Sequence, residues 1–180
     1  MKLMIASDIH GSEYYCNKLM ECFAAEDPDK LLLLGDLLYH GPRNDLPRDY
    51  NPKAVIELLN SIKDKLLCVR GNCDTEVDQM VLNFPVLADY SLCYVDGVSL
   101  YATHGHHIDS LLEGSLSHGS VVVAGHTHIP ACEQREVYLY INPGSVSIPK
   151  ENSHHGYMIF ENGCFVWKDL DGNVIKEYKL

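Results

Sequence analysis

The chain reads Val121-Val122-Val123-Ala124-Gly125-His126-Thr127-His128, a short apolar run followed by a glycine and two histidines. Four consecutive apolar residues bounded by a turn signal are typical of a buried strand. The strand would deliver both imidazoles on one tight loop at its carboxyl end. Neutral imidazole is the commonest metal ligand in proteins, so the loop could hold one metal ion or two adjacent ions. Taken alone, it is equally compatible with a pair of solvated loop histidines.

The same pattern recurs at four other places in the chain. Each is a strand-like run that ends in Asp, Asn or His: Leu3–Ser7 before Asp8 and His10, Leu31–Leu34 before Asp36, Leu66–Val69 before Asn72, and Val98–Thr103 before His104. In open α/β sheets the ligand crevice lies outside the carboxyl ends of the strands. Five such coincidences predict that these polar side chains converge on one site.

Length and charge restrict the classes of function. The 180 residues predict a single domain, 1–180, that is large enough for a substantial core. The net charge of −11 argues against a broad basic surface for duplex nucleic acid. A small phosphate-bearing substrate remains compatible with this charge, because bound cations would reverse the local sign. No apolar run approaches the length of a membrane span, so no membrane partner is expected.

The cysteines indicate a reducing environment. All seven are scattered along the chain, and no C-x-x-C pair occurs. This pattern does not predict a disulfide framework or a zinc ribbon, and free cysteines in apolar runs pack as small hydrophobic residues. The sequence also starts directly on a strand pattern, without a signal peptide. We therefore expect a cytoplasmic protein.

The first half of the chain predicts a β-α-β organisation. Ser12 would cap a helix with an apolar stripe at helical spacing, and the strand Leu31–Leu34 would lie parallel to the first strand. The irregular stretch 39–51 follows, and a loop this long in a compact domain is usually functional. Asn51 and Pro52 then begin a second helix.

The second half is mostly antiparallel β-structure. Its predicted elements are the short helices Glu76–Leu82 and Ile108–Glu113, the hairpins Tyr90–Val95 with Val98–Thr103 and Tyr157–Phe160 with Cys164–Lys168, and the strands Val137–Ile141 and Asn173–Lys179. Two mixed sheets that lie face to face, with helices outside, would satisfy both halves of the chain.

The residues at the strand ends form a candidate metal site. Four imidazoles, two carboxylates and one amide exceed the needs of one tetrahedral zinc and suit two ions that share a ligand, for which Asp36 is the candidate. The mixed nitrogen and oxygen set is compatible with Mn, Fe, Co, Ni or Zn. Two ions about 3.5–4 Å apart lower the pKa of a shared water, so that hydroxide attacks, and clamp both oxygens of an in-line displacement. Such a clamp predicts a phosphate ester as the substrate.

Five motifs occur in a characteristic order: Asp8-x-His10, Gly35-Asp36, Gly71-Asn72-Cys73-Asp74, His104-Gly105 and Gly125-His126-x-His128. In this order they resemble the motifs of the calcineurin-like metallophosphoesterases, and the match extends to about Lys150. Two further blocks are similar to those of the small bacterial YfcE-type phosphodiesterase branch: His40-Gly41-Pro42-Arg43-Asn44 and Asn142-Pro143-Gly144-Ser145-Val146-Ser147.

The resemblance implies an α/β fold, a four-layer α-β-β-α sandwich of two mixed sheets with flanking helices, around a dinuclear site. It also implies which residues would hold the two ions: Asp8, His10, Asp36 and His128 for one, and Asp36, Asn72, His104 and His126 for the other. Manganese is the first choice of metal. The implied activity is hydrolysis of a small phosphodiester by a metal-bound hydroxide, and related small enzymes are often homo-oligomers.

The candidate catalytic residues are Arg43, Asn72, Cys73, Asp74 and His104. By the resemblance, Asn72 would contact the substrate phosphate, and Arg43 offers a planar guanidinium fork. Many relatives carry a histidine near the leaving group where this chain has Cys73. A thiol, with a reference pKa of about 8.5, is a poorer proton donor to an alkoxide than imidazolium. The alternatives are that Cys73 only fills space and that Arg43 is a structural loop residue.

Two other functions stay open on the same fold. The retromer subunit of similar fold is a scaffold with a degraded metal site, and metal content and turnover would distinguish a scaffold from an enzyme. The second alternative is a phosphomonoesterase, which a comparison of monoester and diester substrates would identify.

Overall fold

The computed structural model of the protein describes residues 1–108, 114 and 116–180. Within these residues two mixed β-sheets lie face to face, as the sequence predicts. The predicted helical turn over 108–113 falls, from residue 109 onward, outside the described residues. In the described part of the chain, no helix has the length and apolar character needed to cross a bilayer.

The first sheet is built around the predicted β-α-β unit. Its strands are β1 (Leu3–Ala6), β2 (Lys30–Leu33), β3 (Leu66–Cys68), β9 (Gly156–Glu161), β10 (Cys164–Asp169) and β11 (Val174–Lys179), in the order β11-β10-β9-β1-β2-β3. β1, β2 and β3 are parallel, and β9 to β11 extend the sheet as antiparallel strands. The helices that connect the parallel strands are α1 (Glu13–Glu26) and α2 (Pro52–Ser61).

The second sheet contains β4 (Tyr90–Val95), β5 (Val98–Thr103), β6 (Ser120–Val123), β7 (Ala131–Gln134) and β8 (Tyr138–Asn142), in the order β4-β5-β6-β8-β7. β5, β6 and β8 are parallel, and β4 and β7 are antiparallel edge strands. The sequence analysis did not predict β7. This short edge strand lacks an apolar alternation, with Glu133 and Gln134 exposed, and its pairing with β8 defines it.

The helix ends follow the predicted capping chemistry. The side chain of Ser12 accepts a hydrogen bond from the amide of Tyr15 at the start of α1. The side chain of Asn51 accepts from the amide of Ala54 at the start of α2, where Pro52 occupies the first turn. The predicted short helix is α3 (Glu76–Val81), and a single turn of 3₁₀-helix, Lys63–Lys65, precedes β3.

Two apolar cores lie on the two faces of the first sheet. Met4 and Ala6 of β1 face the core beneath α1 and α2, whereas Leu3 and Ile5 face the core between the sheets. β1 is therefore buried on both faces, which explains its continuous apolar sequence. Trp167 of β10 donates from Nε1 to the carbonyl of the last residue of β8 over 2.8 Å and so joins the two sheets.

A partly buried ion cluster joins the end of α1 to both the first residues of the chain and the first sheet. The carboxylate of Glu26 accepts from Lys2 Nζ (2.7 Å) and from the Tyr157 hydroxyl (3.0 Å), and it pairs with Lys168. Burial opposes ionisation of Glu26, but these donors outweigh it and lower its pKa to about 2. A lowered folded-state pKa stabilises the fold above the unfolded pKa of about 4.3, and this contribution is lost as the pH falls toward 2.

We expect Glu26→Gln to lower the free energy of unfolding at pH 7 by on the order of 2 kcal/mol, because the variant loses a charge with three donors around it. The difference from the parent should shrink as the pH falls from about 4.5 to about 2. Urea unfolding at several pH values measures it, with Glu57→Gln on the exposed side of α2 as the matched control. If the difference in free energy of unfolding between the parent and Glu26→Gln did not change with pH, the lowered pKa of Glu26 would be contradicted.

Candidate metal centre

The carboxyl ends of the parallel strands bring the candidate side chains together. Ligand atoms of Asp8, His10 and His128 all lie within 4.8 Å of one another, and so do those of Asp8, Asp36 and His104. These five residues are almost completely buried. Asp8 belongs to both groups, so the two halves of the centre are contiguous.

In the first half of the centre, two imidazoles point their unsubstituted nitrogens at each other. His10 donates from Nδ1 to the carbonyl of Tyr39 over 2.7 Å, and His128 donates from Nδ1 to the carbonyl of Ile148 over 2.7 Å. Both Nε2 atoms therefore carry lone pairs, and they are 3.3 Å apart. Two lone pairs at this distance require a cation between them, either a proton or a metal ion.

The second half repeats this arrangement around His104. This residue donates from Nδ1 to the carbonyl of Leu34 over 2.6 Å, which turns its Nε2 inward. The inward nitrogen lies 3.2 Å from Nδ1 of His126 and 3.0 Å from the amide oxygen of Asn72. Nε2 of His104 thus faces the amide oxygen of Asn72, which only accepts, so a proton or a metal ion is required between these two atoms.

Each carboxylate presents one oxygen to the centre and anchors the other on the backbone. Asp8 Oδ2 accepts from the amide of His126, and Asp36 Oδ1 accepts from the amide of Cys73. Asp8 Oδ1 lies 3.2 Å from His128 Nε2, yet it is buried without the geometry of a hydrogen bond to any group. Asp36 Oδ2 lies 3.6 Å from Nε2 of His10 and 3.5 Å from Nε2 of His104, and so faces both halves.

The titration behaviour follows from this crowding. Burial raises the pKa of a carboxyl group, but the imidazoles of His10 and His128 outweigh it and hold the pKa of Asp8 far below its usual range. Burial alone would lower the pKa of His104, but Asp36 and Asp8 raise it to about 9. The buried, orphaned Oδ1 of Asp8 and the fixed tautomers of His10, His104 and His128 fit divalent cations, because ordering of the outer ring nitrogen is typical of metal-bound histidine.

The backbone at the strand ends is bent to aim these side chains. Five of the candidates have positive φ angles, between 49° and 67°, in the left-handed region: Asp8, His10, Asp36, His126 and His128. This conformation is uncommon for residues other than glycine and persists where the surroundings over-determine it. At Asp8 the surroundings are the hydroxyls of Ser145 and Ser147, which both donate to its carbonyl oxygen, over 2.9 and 3.0 Å.

Two glycines allow the loops to approach the carboxylates closely. A Cβ on Gly71 would lie 2.1 Å from Asp36 Oδ1, and one on Gly125 would lie 1.9 Å from Ser7 Oγ and 2.9 Å from Asp8 Oδ2. No side chain fits at either position without displacing a candidate ligand. This steric requirement explains the glycine that precedes the ligand in two of the five motifs.

Asp74 differs from its predicted catalytic role. Its carboxylate is buried and accepts from the backbone amides of Asp36 (2.8 Å), Leu37 (2.9 Å) and Gly71 (2.7 Å). The structure therefore places Asp74 behind the centre, where it positions the Asp36 loop. It does not line the cleft in front of the ligands.

Cys73 and Arg43 line the cleft that opens in front of the centre, which has a volume of about 420 Å³. Burial, together with the negative charge of Asp36, raises the pKa of the Cys73 thiol to about 12. The thiol is therefore neutral at pH 7. Arg43 is exposed in the same cleft, beside His10, Asn72 and Cys73.

Three contributors to the site were not singled out from the sequence. Ser145 and Ser147 hold the Asp8 backbone, and their only signal was the block 142–147 quoted for its resemblance. Lys150 also lines the cleft, and its only signal was its position just after that block in an acidic chain.

The calcineurin-like phosphoesterase superfamily domain matches residues 1–163. The chain belongs to this superfamily, and membership implies that divalent metal ions take part in its activity. Within the superfamily it is similar to phosphodiesterase YfcE of Escherichia coli (strain K12), with 46% identity over 162 residues that cover 90% of this chain and 88% of that protein.

Solved structures agree with this placement. The structure of YfcE, a phosphoesterase from E. coli, matches with a TM-score of 0.90 at 43% identity and covers 99% of this chain and 98% of that chain. The predicted metallophosphoesterase fold is thereby confirmed. Vps29 from Entamoeba histolytica, complexed with Zn²⁺, matches with a TM-score of 0.64 over 99% of this chain and 98% of that chain. Its identity is 15%, so this likeness shows the fold alone.

We expect Gly71→Ala to weaken metal binding severely, because the new Cβ would occupy the position of the Asp36 carboxylate. Metal content after dialysis against a metal buffer measures the effect. Gly97→Ala is the matched control, since Gly97 has a φ of 84° but no heavy atom within 4 Å of the new Cβ. The control should lose about 1 kcal/mol of stability from its backbone conformation and keep its metal. Equal metal content in the two variants would refute the steric role of Gly71.

Proposed function

We propose that the protein is a metal-dependent phosphodiesterase with a dinuclear centre. One observation supports it above all others: two pairs of inward-facing imidazole nitrogens, at His10 and His128 and at His104 and His126, meet across Asp36 Oδ2, which lies 3.6 Å from His10 Nε2 and 3.5 Å from His104 Nε2. The similarity to phosphodiesterase YfcE over 90% of the chain supports the diester as the substrate. The proposal treats residues 1–180 as one domain.

The proposed ligand sets follow the two halves of the centre. Asp8, His10 and His128 form the first set, and Asn72, His104 and His126 form the second. Asp36 belongs to both, because its Oδ2 is nearly equidistant from an imidazole of each half. Manganese is the proposed metal, and a nitrogen and oxygen donor set also accepts Zn, Fe, Co or Ni.

Bound ions would supply a shared water of lowered pKa and positive charge for the phosphoryl oxygens. The chain contributes the remaining parts of the reaction. Asn72 would orient the phosphate through its amide, and Arg43 would bind a phosphoryl oxygen through its guanidinium fork. Cys73 would lie beside the leaving group, where a thiol, with a reference pKa of about 8.5, is a weaker proton donor than an imidazolium.

The cellular setting of the proposal is the cytoplasm. All seven cysteines are free thiols, and four of them are buried. Free thiols persist in a compartment that keeps cysteine reduced.

We expect purified protein to bind about two transition-metal ions per chain and to lose turnover on chelation.

Asp36→Asn should lose both metal and nearly all turnover while it keeps its fold, because the two apolar cores supply most of the folding energy. Elemental analysis, circular dichroism and turnover on a panel of diesters and monoesters measure these effects. Turnover that survives exhaustive chelation, or a panel in which only monoesters are cleaved, would refute the proposal.

We expect the turnover of the parent enzyme to fall steeply as the pKa of the leaving group rises. A nitrophenolate leaves without a proton, whereas an alkoxide needs one, and Cys73 is a weak acid. Activated aryl diesters should therefore be cleaved well and alkyl diesters poorly. General acid catalysis is typically worth about 10²–10⁴-fold, so Cys73→His should recover part of this factor for the worst leaving groups.

The measurement is turnover against leaving-group pKa for the parent, Cys73→His and Cys73→Ser. The serine variant is the control for side-chain size, and its slope should match the slope of the parent. Identical slopes for all three proteins would mean that position 73 takes no part in proton transfer.

A further inference from the structure

Two basic side chains line the metal cleft without an acidic partner. Arg43 and Lys150 are both exposed in it, and neither forms an ion pair with any carboxylate in the described part of the chain. The other three arginines each have a carboxylate within 4.0 Å, in the pairs Arg48–Asp49, Arg70–Glu76 and Arg135–Glu133. In the described part of the chain six other lysines also have no ion pair with a carboxylate, so the feature that sets Arg43 and Lys150 apart is their place in the metal cleft.

The position of Lys150 is tied to the metal centre through His128. The amide of Lys150 donates to the carbonyl of His128 over 3.2 Å, and the imidazole of His128 donates to the carbonyl of Ile148 over 2.7 Å. On the other side, the carbonyl of Lys150 accepts from the amide (3.0 Å) and the hydroxyl (2.6 Å) of Ser153. The backbone that carries this lysine is therefore held at the His128 wall of the cleft.

Arg43 lines the same cleft, on the wall that includes Cys73. It follows Gly41, where a Cβ would lie 3.3 Å from Cys73 Sγ. The proposed function places the leaving group on this wall. The ester arm that stays with the phosphate would then extend toward His128 and Lys150. A cleft of about 420 Å³ has room for more than a phosphoryl group.

The charges of an occupied centre make Lys150 superfluous for a simple diester. Two divalent ions bring four positive charges, and Asp8, Asp36, an ionised Asp74 and the hydroxide nucleophile bring four negative ones, so the occupied centre is neutral. A phosphodiester carries a single negative charge, which Arg43 already neutralises. A further cation at the end of the cleft has no charge to bind unless the substrate carries a second anion.

We infer that Lys150 is a specificity-determining residue that selects phosphodiesters bearing a second anionic group, a phosphate or a carboxylate, on the ester arm that is retained. This inference rests on the proposed function, since it concerns the substrate of the same site. An ammonium group at the end of a flexible stem binds such an anion as a point charge, and this tolerates arms of different length.

A matched pair of substrates tests the inference in the metal-loaded enzyme. The 4-nitrophenyl ester of thymidine 5′-phosphate and the same compound with a 3′-phosphate share one leaving group and differ by one anion on the retained arm. We expect kcat/KM for nitrophenolate release to be higher for the 3′-phosphorylated ester by on the order of tenfold, the lower end of what a hydrogen bond to a charged group contributes. The gain should appear mainly in KM.

Three variants test whether Lys150 causes the preference for the 3′-phosphorylated ester. Lys150→Met should abolish the preference, so that the ratio of kcat/KM for the two esters falls to about one, whereas Lys150→Arg should keep it. Lys53→Met, at an exposed lysine of α2 outside the cleft, is the matched control and should behave as the parent does. Equal kcat/KM for both esters in the parent would overturn the inference. So would an equal loss on both esters in Lys150→Met, or release of inorganic phosphate in place of nitrophenolate.

A binding measurement separates this inference from the proposed function. Calorimetry of metal-loaded protein with thymidine 3′,5′-bisphosphate and with thymidine 5′-phosphate needs no turnover. Tighter binding of the bisphosphate that disappears in Lys150→Met supports the role of Lys150, even if neither ester is hydrolysed and the proposed activity fails. Equal Kd values for the two nucleotides would refute the role of Lys150, even in an active phosphodiesterase.

Discussion

The hydrogen bond from an imidazole Nδ1–H to a backbone carbonyl is the interaction on which the site depends. It occurs at His10, His104 and His128, with carbonyl acceptors 29, 70 and 20 residues away along the chain. Each bond fixes a tautomer and turns the Nε2 lone pair toward the centre. The end of β2, the start of the 39–51 loop and the segment after β8 must therefore be held in place for three ligands to be correctly oriented.

This orientation requires strained backbone and buried charge, and the surrounding structure compensates for both. Left-handed backbone at residues other than glycine costs about 1–3 kcal/mol each, and ions buried without a partner cost more. The serine hydroxyls around the Asp8 carbonyl and the Asp74 carboxylate behind the Asp36 loop supply donors and acceptors at these points. The rigidity of the centre comes from two cores on either side of β1, so the site can be strained without loss of the fold.

The cleft in front of the centre combines a weak acid with spare positive charge. Burial and the charge of Asp36 raise the pKa of the Cys73 thiol to about 12. Arg43 and Lys150 both line this cleft, and neither has a carboxylate partner in the described part of the chain. Divalent metal ions are thus common to the superfamily, whereas the proposed choice of substrate depends on these cleft residues.

The sequence by itself determined the strands that end in the candidate metal ligands. A central parallel strand is apolar throughout, and a polar residue at its carboxyl end can face a crevice. The sequence also determined the helix caps at Ser12 and Asn51 for a similar local reason. Only the tertiary structure revealed β7, since an edge strand without apolar alternation is defined by its partner. The roles of Asp74 and Lys150 also depend on which backbone amides or walls lie opposite them. These contacts join residues far apart in the chain, and neither periodicity nor spacing encodes them.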